Sequence, residues 1–165
     1  MKKILVLLLA IINLSCSQAQ KTSFSKEALS ETLLSKEGKQ VAFKNILKKH
    51  KGKTLVIEVW ASWCSDCVKA MPKVKELQAN NPDVDFVFIS MDKTADKWKT
   101  GIERHQIIGE HFMANDQMKG VFGKAIDLDW IPRYIVIDKT GKILIYKAIE
   151  TDFEKISNTL KEVRD

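Results

Sequence analysis

The chain has 165 residues, of which 45% are hydrophobic and 29% charged, so it is long enough to bury one hydrophobic core. Its formal net charge of +6 comes from lysines scattered among acidic residues. No basic stripe carries aromatic side chains, so a nucleic-acid partner is not expected. Three cysteines are too few for a disulfide framework.

The N-terminus has the pattern of an export signal. Lys2 and Lys3 precede an uncharged aliphatic run over residues 4–12, which is too short to span a bilayer. Small residues at 17–19 offer a cleavage site, which would make residues 1–19 a signal peptide. We therefore expect an exported protein, whose mature form keeps 25 basic and 21 acidic residues once the two leader lysines are removed.

A second processing site competes with the first. Residues 14–16 resemble a lipoprotein box, although Asn13 stands where a leucine is usual. If this site is used, residues 1–15 are removed, and Cys16 carries a lipid anchor and takes no part in redox chemistry. The mature protein is then either free in the periplasm or anchored to the membrane facing the periplasm.

The remaining residues, 20–165, contain no repeat and no linker, so we predict a single domain. Strand, helix and strand over residues 55–91 form a βαβ unit with parallel strands. Apolar periodicity and turn residues predict, in chain order, a hairpin over 21–35 and 40–43, a short helix near 46–47, a strand at 55–60, a helix after Cys64, a strand at 84–91, a helix at 94–105, a strand at 110–113, a helix at 116–122, strands at 134–137 and 142–146, and a helix at 153–163.

Cys64 and Cys67 form one C-x-x-C pair at the point where a buried strand ends and a helix begins. A helix N-terminus presents unpaired N–H groups and partial positive charge, which stabilise a thiolate. Cys64 lies at the exposed end and is predicted to be the attacking nucleophile. Cys67, one turn further in, is predicted to resolve the mixed disulfide.

Two acidic residues bear on this chemistry. Glu58 stands inside an otherwise apolar strand, where a carboxyl group has a raised pKa and can exchange a proton with Cys67. The alternative is that Glu58 points outward or pairs with a lysine. Asp66 places a negative charge beside Cys64, which opposes thiolate formation and favours a reductase.

Residues 59–67, Val-Trp-Ala-Ser-Trp-Cys-Ser-Asp-Cys, resemble the thioredoxin signature. Glu58 matches the buried acid of that family, Pro72 its helix kink, and Ile131-Pro132 its cis-proline before a strand. The chain is similar to the TlpA/ResA-like branch over about residues 35–163. The resemblance implies an α/β thioredoxin fold, in which helices flank a central mixed β-sheet, with an N-terminal β-hairpin and about thirty extra residues inserted between the βαβ unit and the cis-Pro strand.

The same resemblance implies that Pro132 is cis and lies against the cysteine pair. The Ile131 backbone would bind substrate chain, and Trp63 would shape the docking rim. Arg133 departs from the family pattern, because it replaces the small hydroxyl residue that often follows the cis-proline, and it would place a cation near the pair. The branch implies exchange with thiols and disulfides of exported proteins, apocytochromes c among them, and a membrane relay that supplies electrons. We expect a monomer without cofactor or metal.

Three other classes of protein stay open at this point. A zinc site needs two more ligands, and His50, His105 and His111 stand at no convincing spacing. A peroxiredoxin-like peroxidase shares the fold but uses a different local motif around one cysteine. A non-catalytic binding module would merely retain a disulfide.

Overall fold

The computed structural model describes residues 20–164. The predicted leader, both processing sites and Cys16 lie outside the described residues, as does Asp165. Within the described part, no helix is both long and apolar enough to cross a lipid bilayer.

A seven-stranded mixed sheet forms the centre of the molecule. The strands stand in the order β2-β1-β5-β4-β3-β6-β7. The two contacts among β3, β4 and β5 are parallel, and all the others are antiparallel. Their bounds are β1 Thr32–Ser35, β2 Gln40–Ala42, β3 Leu55–Trp60, β4 Asp85–Ser90, β5 Glu110–Ala114, β6 Arg133–Ile137 and β7 Ile143–Ala148.

The middle of the sheet is buried on both faces. All six residues of β3 are buried, as are all five of β6 and five of the six in β4. Continuous apolar runs of this kind are typical of strands covered by helices on both sides. Glu58 is the acidic residue in this centre, at the register position between Phe88 of β4 and Tyr134 of β6.

Among residues 20–164, six helices cover the sheet: α1 Lys26–Ser30, α2 Phe43–Lys49, α3 Ser65–Asn80, α4 Ala95–His105, α5 Val121–Ala125 and α6 Phe153–Glu162. On one face α2 and α5 meet through Phe43 and Phe122, whose ring centroids lie 5.2 Å apart. On the other face α6 places Phe153 5.2 Å from the ring of Tyr134, and Lys73 of α3 lies 5.7 Å from the centroid of Phe153. The face that carries Tyr134 and Glu58 is therefore covered by α3 and α6.

The N-terminal hairpin, the βαβ unit, the cis-Pro strand and the closing helix are confirmed. The prediction was wrong in part of the first segment, since residues 26–30 form α1, where the Ser25 hydroxyl accepts a hydrogen bond from Ala28 N. Phe43, predicted at the end of a strand, instead begins α2. The cap formed by Ser25 accounts for the first difference. Burial of Phe43 against Phe122 of α5 accounts for the second.

The inserted residues form α4, β5 and α5, and β5 enters the sheet between β4 and β1. The last of these helices begins at Val121, five residues later than predicted. The reason lies in the turn before it, where Asp116 accepts a hydrogen bond from Val121 N and Gln117 has a positive φ of 62°. Such a turn prevents residues 116–120 from continuing into a helix.

Candidate active site

Cys64 and Cys67 lie at the start of α3 and are joined by a disulfide bond, with their Cα atoms 5.3 Å apart. Cys64 is the N-cap residue, and its Sγ accepts a hydrogen bond from Cys67 N at 3.1 Å. Cys64 is 6% exposed and Cys67 is fully buried. Substrate can therefore reach Cys64 first, and the helix N–H group at its sulfur favours the thiolate.

The loop before β6 meets the cysteine pair. The Ile131-Pro132 peptide bond is cis, which confirms the prediction for this bond. The carbonyl oxygen of Ile131 lies 3.6 Å from Cys64 Sγ, although the two residues are 67 positions apart in sequence. The backbone beside the reactive sulfur thus belongs to the segment that the sequence predicted to bind substrate chain.

Glu58 lies buried in the centre of the sheet. Its Oε1 accepts a hydrogen bond from the Tyr134 hydroxyl at 3.4 Å, and its Oε2 has no partner among residues 20–164. Burial raises the pKa of Glu58 from 4.5 to about 8, and the bond from Tyr134 offsets part of this effect. The outward-facing alternative does not hold, because the side chain is 1% exposed and forms no ion pair within the described chain.

Cys67 and Glu58 occupy the same side of the sheet. Glu58 projects from β3 together with Tyr134, toward the face covered by α3 and α6. Cys67 is buried in the first turn of α3, on the side turned into the core. A buried carboxyl with this raised pKa, on the side of the sheet that the inner thiol faces, can release and take up a proton near neutral pH.

A buried carboxylate fixes the loop that leads into the cysteine pair. Asp92, two residues after β4 ends, accepts hydrogen bonds from Ser62 N at 3.0 Å and from the Ser62 hydroxyl at 2.7 Å. The Ser90 hydroxyl donates to the same carboxylate at 2.8 Å. Gly101 of α4 packs on this loop so closely that an added methyl group would lie 2.6 Å from Ser62 Cβ. The position of Cys64 is therefore set by β4 and α4 as well as by β3.

Two exposed indoles directly precede residues of the site in sequence. Trp63 directly precedes Cys64 and is 57% exposed, and Trp130 directly precedes Ile131 and is 51% exposed. Exposed tryptophans provide apolar contact area for a protein partner. The exposure of Trp63 agrees with the predicted place at the rim and not in the core.

Arg133 requires a correction. The sequence predicted a cation near the cysteine pair, but the guanidinium is buried, pairs with Asp129 and donates a hydrogen bond to the carbonyl oxygen of Asp127 at 3.4 Å. Because side chains alternate along a strand, Arg133 projects from the face opposite Tyr134 and Glu58. The structure does not bring this cation to the cysteines.

Asp66 lies in the first turn of α3, between the two cysteines in sequence. Its carboxylate is 36% exposed, and an oxygen lies 3.8 Å from Lys69 Nζ, one turn further along. The nearby lysine and the solvent screen this charge in part, which reduces the effect of Asp66 on Cys64 without removing it.

Sequence reasoning missed Tyr134 and Asp92. Tyr134 could have been found by pairing β6 with β3, because alternation then puts the residue two positions after Pro132 beside Glu58. Asp92 follows a buried parallel strand, at the sheet edge where Cys64 also lies, which is a recognisable signal for a residue near the site.

The chain resembles known proteins along nearly all of its length. The Redoxin family model matches residues 19–162. The thiol-disulfide oxidoreductase ResA of Bacillus cereus (strain ATCC 10987 / NRS 248) is 26% identical over 149 residues, which are 89% of this chain and 82% of the relative.

Solved structures show the same likeness. A candidate thiol-disulfide oxidoreductase from Bacteroides vulgatus, whose structure was solved in solution, is 29% identical in sequence to this chain. The two structures superimpose with a TM-score of 0.68 over 89% of this chain and 91% of that one. A thiol-disulfide oxidoreductase from Bacteroides fragilis NCTC 9343 shares the fold, with a TM-score of 0.69 at 19% identity over 87% of this chain and 98% of that one. The chain therefore belongs to the Redoxin family, as a TlpA/ResA-like thiol-disulfide oxidoreductase of the thioredoxin superfamily.

Proposed function

We propose that this protein is an exported disulfide reductase, in which Cys64 attacks disulfides of other exported proteins. The observation that carries the proposal is the placing of the Cys64–Cys67 pair at the first turn of α3, with Ile131 O 3.6 Å from Cys64 Sγ and Glu58 buried behind it. Together these provide one cysteine that is more exposed than its partner, backbone beside it to hold a substrate chain, and a proton acceptor.

The first step forms a mixed disulfide. The Cys64 thiolate attacks one sulfur of the substrate disulfide, the substrate S–S bond breaks, and the departing substrate thiolate takes a proton from solvent. The Ile131 backbone holds the substrate chain in an extended conformation, and Trp63 contacts it at the rim. The N–H of Cys67 at the Cys64 sulfur lowers the cost of the thiolate form.

The second step releases the reduced substrate. Glu58, in its ionised form, takes the proton of the Cys67 thiol, and the Cys67 thiolate attacks Cys64 Sγ. The mixed disulfide breaks, the Cys64–Cys67 bond forms, and the substrate leaves with two electrons more than it brought. The Tyr134 hydroxyl stabilises the carboxylate of Glu58 while the proton is absent.

The direction of exchange follows from charge near the thiolate. Asp66 opposes ionisation of Cys64, which destabilises the reduced form and makes the protein a better electron donor. We expect a potential clearly more negative than about −120 mV, the value typical of strong periplasmic oxidants.

The place of action and the partners complete the proposal. The signal pattern over residues 1–19, or over 1–15 with a lipid anchor on Cys16, sends one domain formed by residues 20–165 out of the cytoplasm. Electrons then come from a membrane relay, because the exported protein is separated from cytosolic reductants. Apocytochromes c are one class of exported client, and the protein works as a monomer.

Insulin reduction tests the catalytic part. The protein with dithiothreitol precipitates insulin faster than dithiothreitol alone, and Cys64→Ser removes this acceleration. Cys67→Ser is the matched variant: it cannot complete turnover but accumulates a mixed disulfide through Cys64. A wild-type protein that folds but does not accelerate the precipitation would contradict the reductase proposal and favour a non-catalytic binding module.

Trapping in the native host tests the partners and the location. Cys67→Ser expressed with its leader should capture exported proteins with cysteine pairs, and the captured partners are identified by mass spectrometry. The mass of the mature N-terminus distinguishes cleavage before Gln20 from a lipid-modified Cys16. Capture of cytosolic proteins alone would contradict the proposed location.

A further inference from the structure

A groove lies beside the cysteine pair at the same edge of the sheet. The parallel strands β3, β4 and β5 end there, so the segments that follow them meet. The groove has a volume of about 610 Å³. Its lining comes from all three segments: Trp63 after β3, Lys93 and Lys97 after β4, and residues 116–119 after β5.

The charge of this groove is unbalanced. Lys93, Lys97 and Lys119 are exposed, and none of the three forms an ion pair with any other residue in the range 20–164. The acidic residue of the lining is Asp116, whose carboxylate already accepts the N–H of Val121. Three unpaired cations in one concave site attract anionic groups and raise their local concentration.

The groove also has an apolar wall, which includes the residue that directly precedes the reactive cysteine. Trp63 is 57% exposed, neighbours Cys64 in sequence, and forms one side of the groove, while Met118 is half-buried on another. A ligand here must pair carboxylates with the lysines and lay carbon against the indole. A polypeptide with acidic side chains does both, and its own cysteine can then lie at Cys64.

We propose that this groove binds an acidic, extended segment of the substrate protein next to the disulfide that is exchanged. The inference rests on the proposed function, because the segment is placed by the same docking event that brings the disulfide to Cys64. The groove thereby selects among exported disulfides by the charge of the flanking sequence, a selection that the cysteine pair itself does not provide.

The test uses two disulfide peptides that differ in charge. Both contain the same loop closed by two cysteines, flanked in one by aspartate and glutamate and in the other by asparagine and glutamine. The second-order rate of oxidation of the reduced protein is measured by stopped-flow tryptophan fluorescence for each peptide. We expect the acidic peptide to react about tenfold faster at low salt, and the ratio to approach one at high salt.

Two matched triple variants locate the effect. Replacing Lys93, Lys97 and Lys119 by glutamine should bring the ratio of the two rates to about one. Replacing Lys26, Lys44 and Lys155, which are exposed elsewhere, by glutamine removes the same net charge and should keep the tenfold ratio. The ratio is insensitive to loss of folded protein, because misfolding lowers both rates together.

The possible outcomes distinguish failure of the groove proposal from failure of the proposed reductase function. A wild-type protein that reduces both peptides at equal rates keeps the reductase function and loses the selective groove. If both triple variants bring the ratio of the two rates to about one, the inference is also overturned, because the overall charge of the protein would then be the cause. A reduced protein that exchanges with neither peptide refutes the disulfide chemistry and the groove with it.

Discussion

The amino ends and the middle of the parallel strands hold buried titratable groups in opposite ways. At the amino ends, His50 lies between two carboxylates, with Nδ1 2.7 Å from Asp85 and Nε2 3.0 Å from Glu110. In the middle of β3, between that end and the cysteines, Glu58 has one weak partner, and its second carboxyl oxygen has none among residues 20–164. A group bonded on both sides holds elements together, whereas a buried group left partly unpaired can still exchange a proton.

The strongest contrast concerns exchange kinetics. Glu58→Gln should slow the attack of Cys67 on the mixed disulfide roughly 100-fold at pH 7, because amide cannot take the thiol proton. His50→Leu should leave this step unchanged. Mixing reduced protein with Ellman's reagent gives two releases of thionitrobenzoate, and the second reports the attack by Cys67. Equal slowing in both variants would show that the step depends on stability and not on the acid.

A second contrast lies in the pH dependence of stability. The Glu58 carboxyl keeps its proton in the folded protein up to pH about 8 but ionises near pH 4.5 when unfolded. The unfolded state therefore binds fewer protons between these values, and stability falls as pH rises from about 4.5 to about 8. We expect a loss of about 4 kcal/mol over this range. Urea unfolding of the oxidised protein should show this decline in wild type and a shallower one in Glu58→Gln; parallel curves would mean that Glu58 ionises normally.

The paired end should respond to loss of its histidine by unfolding more easily. His50→Leu leaves Asp85 and Glu110 without the group between them and should lower the free energy of unfolding by about 2 kcal/mol. Lys49→Ala is the control, since Lys49 also contacts Glu110 but is 64% exposed, and it should cost less than about 0.5 kcal/mol. Both are read from urea unfolding at pH 7. Equal effects would mean that burial of the histidine adds nothing.

The smallest expected effect concerns Asp66. Removing its charge by Asp66→Asn stabilises the Cys64 thiolate and should raise the reduction potential by about 10 mV, measured by equilibration with glutathione. Lys69→Gln, which removes the screening cation, should shift the potential in the opposite direction. A lower potential in Asp66→Asn would reverse the argument for a reductase.

The sequence predicted most of this architecture because its strongest signals are local. The apolar run of β3, the cysteine pair at the start of α3 and the turn between β6 and β7 each follow from neighbouring residues. The helix boundaries that were predicted wrongly, at α1 and α5, depend on single hydrogen bonds to the side chains of Ser25 and Asp116. The periodicity of apolar residues carries no information about such contacts.

The site residues that lie in one continuous segment could be predicted from the sequence. The contacts that join several segments could not. Cys64, Cys67 and Glu58 stand within ten residues, whereas the hydrogen bonds of Tyr134 to Glu58 and of Ser62 to Asp92 join residues that are far apart in the sequence. Arg133 was misplaced for the same reason, since the pairing with Asp129 and the strand alternation that turn it away appear only when β6 is built into the sheet.

The pH profile of the second thionitrobenzoate release tests the role of the buried acid most directly. In wild type, the rate of Cys67 attack should rise with pH through a midpoint near the pKa of Glu58, about 8, as the carboxylate becomes available. In Glu58→Gln this rise should disappear, leaving only the later ionisation of the thiol itself. Profiles that superimpose for the two proteins would contradict the assignment of Glu58 as the proton acceptor.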